Sequence, residues 1–228
     1  SIVKDLAFGL QSIEIGKGSN VALLSNNSPR WAMSDYGIVC SGAATVSVYP
    51  TLIASQVEYI LNDSNSKVVM VENQEQLGKI NTIWKNCPQL NHVIVLDESD
   101  ESEDARIINF MDFLHIGNEF EKESDSNFED LINMTDPGDL LTLIYTSGTT
   151  GNPKGVMLTH GNMMSNVEGI SQLISFDKTE IFLSFLPLSH SFERMGGHFT
   201  AFSVGSQVYY AENIEKVPDN LQEVKPSV

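Results

Sequence analysis

"YTSGTTGNPKGVMLTHGN", residues 145–162, continues the apolar run Leu140-Leu141-Thr142-Leu143-Ile144 and contains a second extended-looking run, Gly155-Val156-Met157-Leu158-Thr159. Between the two runs, Ser147-Gly148-Thr149-Thr150-Gly151 offers almost nothing to pack. Backbone amides there are unhindered, glycine permits the φ > 0 values that anion-binding nests need, and three hydroxyls can donate to phosphate oxygens. Lys154 is the only positive charge in the stretch. At ~4 Å a lysine–phosphate pair is worth on the order of 4 kcal/mol at an effective dielectric of ~20, before desolvation. The loop reads as a phosphate cradle joining two strands.

It is not the kinase-type loop G-x-x-x-x-G-K-[ST]. Alignment on Lys154 places Gly148 correctly but puts Pro153 at the second glycine and Gly155 at the magnesium-binding hydroxyl. Pro153 has no amide to donate, and the residues after Gly155 have a strand pattern, so the helix dipole of such loops is missing.

Outward from the loop, short apolar runs alternate with helical patterns. Upstream, Val21–Leu24, Thr45–Tyr49, Val68–Val71 and His92–Leu96 read as strands. Between them, Ser28-Pro29 signals an N-cap with proline at the first helical position, and Ile53, Val57, Ile60, Leu61 and then Leu77, Ile80, Ile83, Trp84 fall on helical faces. Strands separated by helices of this length imply right-handed crossovers and a largely parallel sheet, an α/β fold. Downstream, Thr159-His160 is placed for a helix start, Met164, Val167, Ile170, Leu173 and Ile174 mark that helix, and Ile181–Leu186 and Gln207–Tyr210 read as strands. Phe192, Met195, Phe199 and Phe202 share a helical face. We therefore expect two α/β subdomains with parallel sheets flanked by helices. The first covers 1–97, and an acidic, solvated linker over 98–136 leaves room for one short helix. The second, 137–228, is incomplete and carries the loop.

Composition narrows the function classes. The 228 residues carry a formal net charge of -17, which disfavours nucleic acid and anionic surfaces and requires any phosphate site to be local. The acidity concentrates in "DESDESED" (97–104) and "EFEKESDSNFED" (119–130); the first lacks the spacing and glycine of a calcium loop. The most apolar stretch, Tyr36–Tyr49, is broken by Gly37, Ser41, Gly42, Thr45 and Ser47 and cannot span a bilayer. With no leader-like start, the chain reads as cytoplasmic. Cys40 and Cys87 have no metal spacing and read as structural thiols.

The loop and its following Pro-Lys-Gly closely resemble the phosphate signature of the adenylate-forming superfamily of acyl-CoA synthetases, luciferases and peptide-synthetase adenylation domains. The resemblance extends to "VALLSNNSPRWAMSDYGIVCSGAATVSVYPT", to "EYILNDSNSKVVMVE" and to "FLPLSHSFERMGG", the last most like the long-chain fatty-acid–CoA ligases.

That resemblance implies two half-reactions. A fatty-acid carboxylate attacks the α-phosphate of Mg2+-ATP to give an acyl-adenylate and pyrophosphate, and coenzyme A then displaces AMP. Thr146, Ser147, Gly148, Thr149, Thr150 and Gly151 would wrap the β- and γ-phosphates, Lys154 would balance pyrophosphate charge, and Thr146 is the candidate magnesium contact. His190 would lie beside the acyl carboxylate and the approach of coenzyme A. Arg194 could bind an anion or pair with Glu193 or a surface acid. The Phe192–Phe202 stripe reads as core or as an acyl tunnel, and His115, His160 and His198 as structural. Other adenylate-forming chemistry and a non-catalytic nucleotide-binding module are the alternatives. Peripheral membrane contact of the parent stays open, and oligomeric state is unreadable. The family's adenine motif, ribose-binding aspartate and C-terminal-domain lysine do not occur before Val228. Both ends read as cuts in a longer chain, so the expectation is a portion of a ligase that is inactive alone.

Overall fold

Runs such as Val68-Val69-Met70-Val71 are apolar at every position because they are buried on both faces, the condition of a parallel sheet covered by helices on each side. The computed structural model describes residues 1–97, 102–146 and 152–228. Its elements run α1 (Ile2–Ser12), β1 (Asn20–Leu24), α2 (Pro29–Cys40), β2 (Ala44–Val48), α3 (Ala54–Asp63), β3 (Val68–Val71), α4 (Gln74–Ile83) and β4 (His92–Val95). Next come β5 (Ile107–Asn109), α5 (Phe110–Glu123), α6 (Phe128–Asn133), β6 (Leu140–Thr146), β7 (Lys154–Thr159) and α7 (His160–Leu173). The last part holds β8 (Ile181–Ser184), α8 (Ser191–Glu193), a π-helical turn over Arg194–Phe199, α9 (Thr200–Ser203), β9 (Gln207–Tyr210) and α10 (Val217–Val224).

The main sheet has the order β5-β4-β3-β1-β2-β6-β7; every neighbouring pair is parallel except β6–β7. A second sheet pairs β8 with β9 in parallel. One face of the main sheet packs on α3 and α4 through Val57, Ile60, Leu61, Leu77, Ile80 and Ile83. The other packs on α1, α2 and α5 through Leu6, Leu10, Trp31, Ile38, Phe110 and Phe113. Ser28 starts α2 as expected, its hydroxyl accepting from the Trp31 amide at 3.0 Å.

The chain leaves β1 toward β2 on one side and leaves β3 toward β4 on the other. The adjoining carboxyl ends of β1 and β3 are therefore a topological switch point, where open α/β sheets form a crevice. Asn26, just after β1, bridges it: its backbone N–H and its amide both donate to Glu72 Oε2, at 2.9 and 2.7 Å.

The sequence expectation fails for the acidic segment. In place of a solvated linker over 98–136, the described residues form β5, α5 and α6. The helix α5 packs so closely on α1 that a Cβ at Gly117 would lie 1.8 Å from the Asp5 carbonyl oxygen. Acidic residues on the outer face of α5 hid an inner face of Phe110, Phe113 and Leu114. Among the described residues β6 and β7 extend the first sheet, and β8 and β9 form a second. Near Val228, α10 precedes two residues that bond to β8. Ser227 and Val228 both donate backbone N–H groups to the Ile181 carbonyl.

Candidate functional site

Thr146 is the last residue of β6 and Lys154 the first of β7, and the ladder pairs them directly. Cross-strand partners project from the same face with Cβ atoms about 5 Å apart. Both are exposed, and Lys154 forms no ion pair with any described residue. Ser147, Gly148, Thr149, Thr150 and Gly151 lie outside the described residues, so the structure bears on the ends of the loop. Helix α3 holds both ends. The Tyr145 hydroxyl donates to Asp63 Oδ2 at 2.6 Å, and the Tyr59 hydroxyl donates to the Pro153 carbonyl at 3.1 Å. Gly155 sits opposite Tyr145 beneath its ring; a Cβ there would come within 3.1 Å of Tyr145 Cζ. That packing accounts for glycine at the position a kinase-type loop gives to a hydroxyl.

His190 is exposed at the start of α8. Its Nδ1 accepts from the Phe192 amide at 3.2 Å, so the neutral ring carries its proton on Nε2 and keeps that atom for another partner. The segment before it is docked by Asn27, at the carboxyl end of β1. The Asn27 amide donates to the Leu186 carbonyl at 2.6 Å, and its Oδ1 accepts from the Leu188 amide at 2.8 Å. Glu193 is buried, and burial raises its carboxyl above the usual range.

Arg194 is neither an anion site at the surface nor paired with Glu193. It is 0% exposed, and so is its partner, Asp35 of α2. Nε donates to Asp35 Oδ2 at 3.0 Å and a terminal nitrogen donates to Oδ1, a bidentate fork. The other terminal nitrogen donates to Thr142 Oγ1 of β6. Thr142 in turn donates to the Thr45 carbonyl at 2.6 Å, and Thr45 Oγ1 donates to Asp35 Oδ1 at 2.6 Å, closing a ring. Burial, the largest single influence, would raise the Asp35 carboxyl, but the Arg194 guanidinium, His198 and the Thr45 hydroxyl together outweigh it and hold the group at about 2. His198 Nε2 lies 3.2 Å from Asp35 Oδ2 without a well-aligned hydrogen bond. Burial lowers its pKa below the ordinary value, so it is neutral near pH 7.

Three concave regions flank these residues. An apolar cavity of about 640 Å³ lies between α2, α7 and α9, with Tyr36, Val39, Phe199 and Phe202 among its walls. A smaller one of about 240 Å³ is lined by Phe192 and Met195 beside Ser191. Met163 borders both, so the aromatic stripe expected as one surface is divided between two cavities. The third, about 410 Å³, is the crevice at the strand ends, lined by Asn26, Asn27, Tyr49, Glu72 and Ser189. Among the described residues no group of three or more His, Cys, Asp or Glu side chains is placed to hold a metal. Cys40 and Cys87 are free thiols pushed up by burial, in keeping with the structural reading.

Sequence reasoning singles out Thr146, Lys154, His190 and Arg194, and the fold brings the first two together and ties Arg194 to Thr142, on the same strand as Thr146. It passes over Asp35, Asn27, Tyr59 and Asp63. The legible signal for Asp35 is its place four residues after Trp31, a carboxylate on the buried stripe of α2.

A mostly parallel α/β sheet, with Thr146 and Lys154 facing each other at the carboxyl end of β6, is the frame of the candidate site. The model of AMP-binding enzymes matches residues 2–228, and the chain belongs to that family. It is 33% identical over 233 residues to the human long-chain-fatty-acid–CoA ligase ACSBG1, covering 99% of this chain and 32% of that protein. It is 31% identical to fatty acyl-CoA synthetase A of Dictyostelium discoideum, covering 98% of this chain and 33% of the relative. The crystal structure of the anthranilate CoA ligase AuaEII superposes with a TM-score of 0.84 at 24% identity, over 99% of this chain and 42% of the ligase, a likeness of fold. The chain thus spans about a third of the length of the curated relatives it matches.

Proposed function

We propose that the chain is the phosphate-binding part of an ATP-dependent, AMP-forming long-chain fatty acid–CoA ligase. The observation that carries this reading is the facing pair Thr146 and Lys154 at the two ends of the signature loop, on a strand tied through Arg194 to the His190 segment.

In the first half-reaction a carboxylate oxygen bonds to the α-phosphorus, and the bond to the bridging oxygen breaks. Pyrophosphate leaves with the electron pair. The carboxylate is already nucleophilic at neutral pH, so stabilising the leaving charge matters more than proton removal. Lys154 and the amides and hydroxyls of Ser147–Gly151 supply that stabilisation. Mg2+ would neutralise phosphate charge, entering with ATP because Thr146 offers one hydroxyl and no carboxylate cage is at hand among the described residues. In the second half-reaction coenzyme A sulfur bonds to the acyl carbon and AMP departs. His190, whose Nε2–H is left for another partner, would orient the acyl carboxylate or thioester oxygen.

The larger apolar cavity supports a long acyl chain over acetate or a compact aryl acid, since it offers hydrocarbon walls and few polar groups. No helix among the described residues is long and apolar enough to cross a membrane. We place the parent in the cytoplasm, with membrane contact, if any, peripheral.

ATP–pyrophosphate exchange by the full-length protein, with acids from acetate to palmitate and aryl acids, tests the reading. Exchange supported best by long-chain acids is expected. Preference for an aryl or amino acid would move the protein elsewhere in the superfamily, and nucleotide binding without exchange would make it a binding module. The 228-residue chain alone is expected to trap no acyl hydroxamate.

A further inference from the structure

We propose that Asp35 and Arg194 are positioning residues that hold His190 in register with the strand leading into the phosphate loop. The catalytic consequence rests on the ligase reading above; the mechanical one does not.

A fully buried ion pair is a poor device for stability alone. Taking both charges out of water costs as much as or more than their attraction returns, and apolar side chains of similar volume often serve as well or better. What the pair supplies is geometry. The bidentate fork sets both the distance and the plane of Arg194 against α2. Two connections then lead from the guanidinium toward the candidate catalytic residues.

The first is one helical turn long. The Arg194 amide donates to the His190 carbonyl at 3.1 Å, so the backbone that presents the imidazole is tied to the residue whose side chain is clamped. The second runs along β6. Thr142, which accepts from Arg194, shares a strand face with Thr146 by the two-residue alternation, about 13 Å further along. The main-chain ladder to β2 continues up to Ile144, so that stretch of β6 cannot shift without breaking the sheet. Asp35 closes the arrangement through Thr45 on β2, so four elements meet at one pair of side chains.

The helix itself carries the mark of this constraint. It widens into a π-helical turn over Arg194–Phe199, an arrangement frequent at functional sites. Within it Gly197 packs against the buried Glu193 side chain; a Cβ there would lie 2.5 Å from Glu193 Oε1. Trp31 and Phe199 pack against the guanidinium, and His198, stacked on Tyr36, lies on the remaining side with its Nε2 3.2 Å from Asp35 Oδ2.

The test uses Asp35→Asn, Arg194→Lys and the apolar double variant Asp35→Leu/Arg194→Met. In the full-length ligase the single-turnover rate of adenylate formation is expected to fall about 10²-fold in the single variants, the scale of an ångström of misplacement, with KM for ATP little changed. In the double variant thermal stability is expected to recover while the rate stays low. A folded Asp35→Asn protein, or a stable double variant, that forms adenylate at the unsubstituted rate overturns the proposal. Should Asp35→Asn fail to fold, the double variant decides alone.

A second arm needs no activity. In the 228-residue chain, amides of residues 188–194 are expected to exchange faster in the double variant while those of Val68–Val71 keep their protection. Unchanged exchange at 188–194 overturns the mechanical claim. An unsubstituted full-length protein that makes no adenylate with any acid counts against the ligase reading, and the exchange arm then still decides the brace.

Discussion

The Tyr145 hydroxyl donates to Asp63 Oδ2 at 2.6 Å, joining the end of β6 to the last residue of α3. Burial and then the Asp63 carboxylate push the tyrosine well above its ordinary pKa, so it remains a donor at any physiological pH. One turn earlier on the same helix, Tyr59 holds the Pro153 carbonyl, so α3 grips the hairpin on both sides of the loop. A hydrogen bond to a charged acceptor is worth about 1.5–3 kcal/mol and a neutral one about 1 kcal/mol. Tyr145→Phe is therefore expected to lose roughly 2 kcal/mol in urea unfolding, and Tyr59→Phe about half that. Faster amide exchange should appear first at the Thr146–Lys154 end of the β6–β7 ladder. Unfolding curves that coincide with those of the unsubstituted chain would show that α3 does not brace the hairpin.

Lys154 faces Thr146 with no competing carboxylate among the described residues, so its charge is available to a phosphate. Replacing it with alanine in the full-length protein is expected to slow adenylate formation by about 10²-fold, the usual effect of deleting one preorganised charge at a developing anion. The thioester-forming step should change far less. Separate single-turnover measurements of the two half-reactions check this; an unchanged first step refutes the role.

Met163 stands between the two apolar cavities. Met163→Trp adds bulk at that junction. It is expected to shift preference toward shorter acids while leaving the chain folded, since methionine sites tolerate reshaping. A chain-length profile by pyrophosphate exchange is the measurement, and a profile identical to the unsubstituted protein would place the acyl chain elsewhere.

Stability should fall in two stages on acidification. His198, His160 and His92 have pKa values lowered by burial, so they stay neutral in the fold while the unfolded chain takes up protons below about pH 6.5. Their neutral forms therefore favour folding above that pH, and stability declines as pH drops through it. Asp35 acts lower down. Its carboxyl is depressed to about 2, so its contribution, on the order of 2 kcal/mol, is complete above about pH 4 and lost as pH falls toward 2. Denaturant titrations between pH 7.5 and 3 should show both losses. A flat profile from pH 7.5 to 5 would contradict the neutral buried histidines.

Most of the fold was legible because its signals are short-range. Ser28-Pro29 marks the start of α2, and unbroken runs such as Val68–Val71 mark sheet interior. The misreading of 98–136 has the same origin. Solvated acids outnumber the few apolar residues that hold α5 to α1, so local composition described the outer face and missed the inner one.

The sequence by itself determined the alternation of strands and helices and, through three separated motifs, the family. The tertiary structure alone decided which residues brace the candidate site. Asp35 and Arg194 are 159 positions apart, and Tyr59 and Pro153 are 94 apart. No periodicity or capping rule connects such positions. Their partnership exists only because a parallel sheet, with its long crossovers, brings the ends of β1, β2 and β6 to one edge. Arg194, which reads as a surface charge in the linear chain, becomes buried only when α2 and β6 close around it.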